Sequence, residues 1–321
     1  MLFETKNKGR KEIIFTQDLE FNGLRCKDLD YILPYGQVKG KEWIFNHIRM
    51  VYLETNFTDL IELNLKIKGK IVIMYFNFKG KFSTTDVKTG KSFDISDNQN
   101  NIYYGNNVES IFKIPELQTK FFFIQLSQES FLKILQNGGN IFNCFINTIT
   151  NNTFTVFSDS NPDINFLIQQ CINAILNCSL EDSLKVLFLY SKTLELLVLQ
   201  AETFINAVQY QPVFLKKEYD KERILFARDY LLKNLDAPPT LPELSRIIGI
   251  NEYKLKKGFK EMFNFTVFQY LAEVRLELAK NYLLENKKSI SEIAFELGYS
   301  SLQHFSFAFK KKFGVSPNQV K

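Results

Sequence analysis

Histidine is nearly missing from this chain of 321 residues: only His47 and His304 occur. That is too few for a multi-histidine metal site or a histidine-rich catalytic constellation, so neither a metal nor a catalytic residue is expected. Cysteine is scarce and scattered. Cys26, Cys144, Cys171 and Cys178 form no C-x-x-C pair, which argues against a zinc knuckle or a disulfide framework and fits a reducing compartment. Charge of one sign is lacking too. The 40 Lys and Arg stand against 35 Asp and Glu, a formal net charge of +5, so any basic surface for nucleic acid must be local. Long uninterrupted apolar runs are also absent. The most apolar long stretch, residues 184–208, is broken by Lys185, Lys192, Glu195 and Glu202, which lipid would not accommodate at low cost. The opening Met1-Leu-Phe-Glu-Thr-Lys6 carries charge where a signal core would begin. A cytoplasmic protein without membrane attachment or cofactor is therefore expected.

What is present divides into three expected regions: 1–126, 127–215 and 216–321. A hydrophobic fraction of 45% over this length provides for more than one buried core. The first region reads as short alternating runs. In Ile61-Glu-Leu-Asn-Leu-Lys-Ile-Lys68 the apolar residues Ile61, Leu63, Leu65 and Ile67 share one face, the pattern of a half-buried strand. Lys68-Gly69-Lys70 predicts a turn into Ile71, with further turns at Gly80, Gly90 and Gly105 and a last strand from Phe121 to Leu126. The expected architecture is an all-β meander or a cupin-like barrel.

Helical periodicity takes over after Ser127. Phe131, Ile134 and Leu135 mark a short helix ended by Gly138-Gly139, followed by an Asn/Thr/Phe-rich loop. Asn161-Pro162 predicts the start of the next helix. From about Leu180 to Val208 a long helix repeats Leu184, Leu187, Ser191, Leu194, Val198, Ala201, Ile205 and Val208 at alternating spacings of three and four, a heptad seam. This helix either packs within its own domain or also pairs two copies of the chain. Leu184, Leu187, Leu194, Val198 and Ile205 are the candidate dimerisation residues. Gln211-Pro212 and the charged run Lys216-Lys-Glu-Tyr-Asp-Lys-Glu-Arg223 mark the boundary to an all-helical C-terminal region.

That region contains an internal repeat. Leu241-Pro-Glu-Leu-Ser-Arg-Ile-Ile-Gly249 aligns with Ile290-Ser-Glu-Ile-Ala-Phe-Glu-Leu-Gly298, and Leu255, Phe259 and Phe263 align with Phe305, Phe309 and Phe313. Each copy reads as a capped short helix, a glycine turn and a second helix. Thr240 with Glu243 and Ser289 with Glu292 have capping-box spacing, and Gly249 and Gly298 suit left-handed turns. This is a helix-turn-helix, twice. Small Ser245 and Ala294, four residues before each glycine, let the second helix cross closely over the first. The intervening helix, Val267 to Glu285 with Thr266 and Gln269 as its cap, spans about 28 Å at ~1.5 Å per residue. Adjacent major grooves on one face of DNA repeat about every 34 Å. The layout predicts bipartite DNA recognition by one chain.

Residues from about 220 to 321 resemble the DNA-binding domain of the AraC/XylS transcription regulators. The resemblance rests on Tyr270-Leu-Ala-Glu-Val-Arg-Leu-Glu-Leu-Ala-Lys-Asn-Tyr-Leu-Leu284, Ile290-Ser-Glu-Ile-Ala-Phe-Glu-Leu-Gly-Tyr299, His304-Phe-Ser-Phe-Ala-Phe-Lys310 and Phe313-Gly-Val-Ser-Pro317. It implies an α+β chain: a β-rich sensor domain, a helical dimerisation segment and an all-α domain with two helix-turn-helix motifs. On the first recognition helix it places Tyr253, Lys256 and Lys257 at base edges and Lys260 at phosphate. On the second, Ser301, Leu302, Gln303, His304 and Ser306 face outward, with Gln303 suited to adenine and the run Lys310-Lys-Lys312 to phosphate. Phe307 stands where many members carry a basic residue, and Asn264 replaces a usual glycine. The resemblance also implies promoter DNA, a small-molecule effector, a homodimer and RNA polymerase as partners, with a leaning towards activation. Lys256-Lys-Gly-Phe-Lys260 and Phe265-Thr-Val-Phe-Gln-Tyr-Leu271 are similar to the PchR-like, siderophore-responsive branch. On that reading a siderophore-like molecule is the effector, and Trp43, Phe45 and His47 are candidate walls of its site; an aromatic cluster filling the barrel is the alternative. An architectural DNA-binding protein without effector control, and a cupin-type enzyme with a helical accessory domain, are the other function classes.

Overall fold

The computed structural model describes residues 2–5, 11–15, 23–135, 142–151, 154–209, 213–215 and 217–320. The chain divides into two compact units, residues 1–209 and 210–321. Together they make an α+β protein.

The first unit is built on a sheet of eleven strands: β1 (Leu2–Thr5), β2 (Lys11–Phe15), β3 (Leu24–Leu33), β4 (Gly36–Phe45), β5 (Ile48–Phe57), β6 (Ile61–Lys79), β7 (Phe82–Asp86), β8 (Ser92–Ile95), β9 (Gln99–Ile114), β10 (Gln118–Ser127) and β11 (Thr155–Val156). The main path runs β3-β4-β5-β10-β6-β9-β7-β8. Pairing is antiparallel except where β2 runs parallel to β6. Strand periodicity sends successive side chains to opposite faces, and here both faces are apolar. Val72, Met74 and Phe76 of β6 and Phe122, Ile124 and Leu126 of β10 enter one core. Tyr75 of β6 and Phe123 of β10 enter another. The second core also takes Leu29 of β3 and Ile95 of β8, from the two ends of the main path, so the sheet curls around it.

Helices α1 (Gln128–Leu135), α2 (Asn143–Thr150), α3 (Phe166–Leu176) and α4 (Asp182–Gln209) cover the outer face. Phe131, Phe145, Ile172 and Leu196 share a core with the strands.

Several expectations are corrected by this fold. Lys68-Gly69-Lys70 does not turn the chain. β6 continues through it over 19 residues, with a register shift between Ile67 and Lys70, and Gly69 (φ 87°) supplies the bulge conformation that lets a long strand bend. Gly105 likewise lies within β9, opposite Ile71. Gly80 and Gly90, by contrast, adopt positive φ between strands. The Asn/Thr/Phe-rich segment contains α2, because Phe145 and Ile149 fall on one helical face and pack into the core. Pro162 precedes α3 without starting it. Its carbonyl accepts from the backbone N–H of Asn100, and Asn165 is the cap, accepting from Ile168 N–H. The expected stop at Gly138-Gly139 lies outside the described residues.

Helix α4 carries two apolar faces. Leu189, Leu196, Leu197, Ala201 and Phe204 are buried in the core. Leu184 (56% exposed), Leu187 (68%), Val198 (67%) and Ile205 (42%) line the other face, while Leu194 is half-buried at its edge.

The second unit is helical: α5 (Glu218–Lys233), α6 (Leu241–Ile248), α7 (Glu252–Phe263), α8 (Val267–Glu285), α9 (Ile290–Glu296), α10 (Leu302–Phe313) and α11 (Pro317–Val320). All three capping boxes form, at Thr240/Glu243, Thr266/Gln269 and Ser289/Glu292. Gly249 (φ 71°) and Gly298 (φ 75°) are left-handed. In each turn the following residue closes a 6→1 bond to the preceding helix, from Ile250 N–H to Ser245 O and from Tyr299 N–H to Ala294 O.

Candidate DNA-binding surface

Each half of the second unit is a helix-turn-helix packed through one face. In the first, Leu244, Ile248, Leu255, Phe259 and Phe263 are buried. In the second, Ile293, Ala294, Leu297, Phe305 and Phe309 share a core with Leu276, Ala279 and Leu283 of α8. The spacing of four between Leu255, Phe259 and Phe263 turns one face of α7 inward and leaves the other to solvent.

That outer face presents Tyr253, Lys256, Lys257 and Lys260, all exposed. Asn251 caps the helix by accepting from Lys254 N–H at 2.8 Å. Lys256 Nζ lies 3.3 Å from Glu252, with both groups exposed, a pairing weak enough to exchange for phosphate. The Lys257 ammonium sits 5.9 Å from the Phe214 ring and 6.0 Å from that of Tyr253. Lys254 is not part of this surface: it turns back to buried Asp220 of α5 at 2.7 Å.

On α10, Gln303, His304 and Lys310 are exposed, and Ser306 is half-buried. Ser301 serves as the N-cap, its Oγ accepting from His304 N–H at 3.2 Å. Phe307 is 73% exposed, an apolar side chain held outward among polar ones. The run Lys310-Lys-Lys312 divides. Lys310 and Lys311 reach solvent; Lys312 points inward to Glu273 (2.6 Å) and Glu277 (2.8 Å) of α8. Its expected phosphate role is thereby corrected to that of a buttress.

Other contacts, not visible in the residue pattern, hold the surface in place. Arg275 of α8 donates through Nε to the carbonyl of Leu235 at 2.8 Å, and its guanidinium lies 5.8 Å from the Tyr299 ring. One side chain thus ties the segment before the first helix-turn-helix to the turn of the second. Glu261 accepts from the backbone N–H groups of Val213 and Phe214 at 2.8 and 2.9 Å. Asn264 takes the left-handed conformation (φ 61°) that a glycine would otherwise supply. The backbone hydrogen bond from Thr240 holds the Glu243 carboxyl below its usual range, while burial pushes the Tyr270 phenol up to about 12 and marks it as a core residue.

The candidate effector walls separate. Trp43 and Phe45 face the core shared with the helices, and His47 (φ 62°) is exposed in the β4–β5 turn. The alternation of β4 sends Trp43 and Phe45 away from the inner face. The aromatic cluster is core.

A family model described as "Helix-turn-helix domain" matches residues 244–321. Two similar proteins come from Pseudomonas aeruginosa. The HTH-type transcriptional regulator ArgR is 35% identical over 27% of this chain and 26% of its own length; the regulatory protein PchR is 36% identical over 38% of this chain and 42% of its own. The chain spans no more than about half of the length of the curated relatives it matches, 26% to 48% for four of them. A crystal structure of ToxT from Vibrio cholerae aligns over 85% of this chain and 97% of its own at 12% identity, with a TM-score of 0.29. The family model, the two Pseudomonas aeruginosa regulators and the two capped repeats together show that the C-terminal unit contains a helix-turn-helix domain, in keeping with the resemblance to the AraC/XylS regulators.

Proposed function

We propose that the chain is a transcription regulator: its second unit grips promoter DNA, and its first unit binds a small-molecule effector that shifts the DNA-bound population. The observation that carries this reading is the pair of helix-turn-helices separated by the 19 residues of α8, each with a recognition helix that buries one face and exposes polar residues on the other. Tyr253, Lys256, Lys257 and Gln303 are the base-reading candidates. Lys260, His304, Ser306 and Lys310 serve positioning and phosphate contacts. The likeness to ArgR and PchR, both named as regulators, supports a regulatory rather than an enzymatic role.

The exposed stripe of α4 supports homodimerisation. Leu184, Leu187, Val198 and Ile205 repeat on one face of a helix whose opposite face is already buried, and a second copy of the same stripe is the self-complementary cover for it. RNA polymerase is the further partner of a regulator that acts as an activator.

Selection of bound fragments from a genomic library by the full chain tests the reading. Enrichment of two half-sites about 10 base pairs apart is expected. Salt-sensitive binding to any duplex without enrichment, in the presence and absence of effector, would favour the architectural alternative.

A further inference from the structure

Inside the curl of the sheet lies a cavity of about 170 Å³. Its walls come from the inward faces of the strands, among them Leu63, Ile73, Phe82, Phe112, Phe121 and Phe123. Among the described residues, no charged side chain lines it; Thr55, Thr84, Ser110, Gln125 and tyrosines supply the polar atoms. Thr55 Oγ is already engaged by Thr119 at 2.7 Å. Arg49, in register with Gln125 across β5 and β10, is buried and paired with Glu42 at 2.7 Å, so its charge is already neutralised by a carboxylate.

One lining group is left over. Tyr75 is buried, yet its hydroxyl has no hydrogen-bond partner among the described residues. Its ring is clamped by Phe82 (centroids 4.8 Å apart, edge-on) and Phe121 (5.5 Å, stacked), so the hydroxyl cannot swing out to water without unpacking the core. Burial also raises its pKa well above the ordinary phenol value, which keeps it a donor. A buried donor without an acceptor is costly and rare.

We propose that this cavity is the effector site and that it takes an uncharged, mainly apolar molecule of about one ring, with a single hydrogen-bond acceptor set against Tyr75 Oη. The size follows from volume, since an apolar cavity of about 150 Å³ admits benzene. The charge follows from the lining: a carboxylate or a charged metal chelate would lose its hydration and find no ion to replace it. A carbonyl or ether oxygen satisfies the tyrosine at little desolvation cost. The assignment of the ligand as effector rests on the regulator reading above.

Calorimetric titration of the full chain with acetophenone, ethylbenzene and benzoate at pH 7 tests the proposal. Acetophenone is expected to bind most tightly, ethylbenzene more weakly, and benzoate not detectably. Tyr75→Phe keeps the ring and the fold; it should weaken acetophenone by about three- to tenfold and leave ethylbenzene unchanged. Benzoate binding as well as acetophenone, no binding by any of the three, or equal loss of acetophenone and ethylbenzene in Tyr75→Phe overturns the ligand class. Binding to a selected DNA fragment is measured alongside. Specific DNA binding without ligand binding would defeat the cavity proposal and leave the regulator reading standing, whereas ligand binding in a chain that never recognises a specific sequence would do the reverse.

Discussion

Gly298 is pressed against Asp236: a Cβ built on it would lie 2.3 Å from the Asp236 carbonyl oxygen and 2.5 Å from Arg275 Nη2. Its repeat counterpart, Gly249, has the same left-handed backbone with nothing within 4 Å of that position. The two glycines therefore separate two costs. Gly249→Ala should lose only the backbone preference, about 1 kcal/mol. Gly298→Ala adds an overlap with backbone that must shift, and about 2–4 kcal/mol is expected. Urea unfolding of both variants checks this, and equal losses would mean that the Gly298 contact relaxes freely.

The DNA surface yields a second expectation. Lys257 and Gln303 are exposed on the outer faces of α7 and α10. Lys257→Ala should cost about 1–3 kcal/mol on a selected site if the lysine reads a base, and should flatten the salt dependence by about one unit of slope if it meets phosphate. Gln303→Ala should relax selectivity at one position with the salt slope unchanged. Titration of labelled duplexes at several salt concentrations reads both; unchanged affinity and slope would remove either residue from the interface.

Lys312 tests the inward half of the basic run. Its side chain is 15% exposed, with the ammonium between Glu273 and Glu277, a position that screens it from phosphate. Lys312→Ala should lower stability by ~1–2 kcal/mol, the range for a partly solvated charge-assisted pair, and leave the salt slope of DNA binding unchanged. Lys310→Ala should do the opposite. Thermal unfolding and DNA titration of the two variants distinguish them.

What could be read from the residues and what could not follows their range in the chain. The caps at Thr240, Thr266 and Ser289 and the turns at Gly249 and Gly298 depend on residues within five positions, so spacing alone reveals them. The inward triplet Leu255, Phe259 and Phe263 is equally local. The run through Gly69 was ambiguous because a glycine between lysines suits a hairpin turn or a bulge, and only pairing with β9 selects the bulge. Trp43 and Phe45 alternate correctly as strand residues, but which sheet face receives the helices is decided by partners a hundred residues away. Lys312 and Arg275 are ordinary helix cations until Glu273 and the Leu235 carbonyl are placed beside them. The apolar stripe of α4 was visible as a seam, while its division into buried Leu196 and exposed Val198 needed the packed core.

That stripe predicts oligomeric state. Leu187 and Val198 are two-thirds exposed on α4, so a charge at either position disturbs no intramolecular contact of the core. Leu187→Glu combined with Val198→Glu should leave the fold intact by circular dichroism and convert a dimer to a monomer in light scattering. Loss of four buried leucine- or valine-sized surfaces across a symmetric interface, at about 1.5–3 kcal/mol each, exceeds what a modest dimer affinity can absorb. A folded double variant that remains dimeric would place the interface elsewhere.

Cysteine reactivity gives a last expectation, in which burial and titration act together. Cys171 is buried in the core of the first unit, and desolvation, with Glu195 nearby, pushes its thiol up to about 12. The reactive species is the thiolate, so at pH 8 a fraction of about 10⁻⁴ is available by that pKa, and burial blocks even this from reagent. Cys144 is exposed and should alkylate first. The native thiol holds its proton above the pH at which an unfolded thiol, with its ordinary value near 9, would release it. The stabilisation is therefore whole below pH 9 and declines as pH rises from 9 towards 12. Mass spectrometry after timed iodoacetamide treatment should show Cys171 unmodified until the chain unfolds. Modification of Cys171 at a rate like that of Cys144 in the folded protein would show that the α3–α4 core opens without global unfolding.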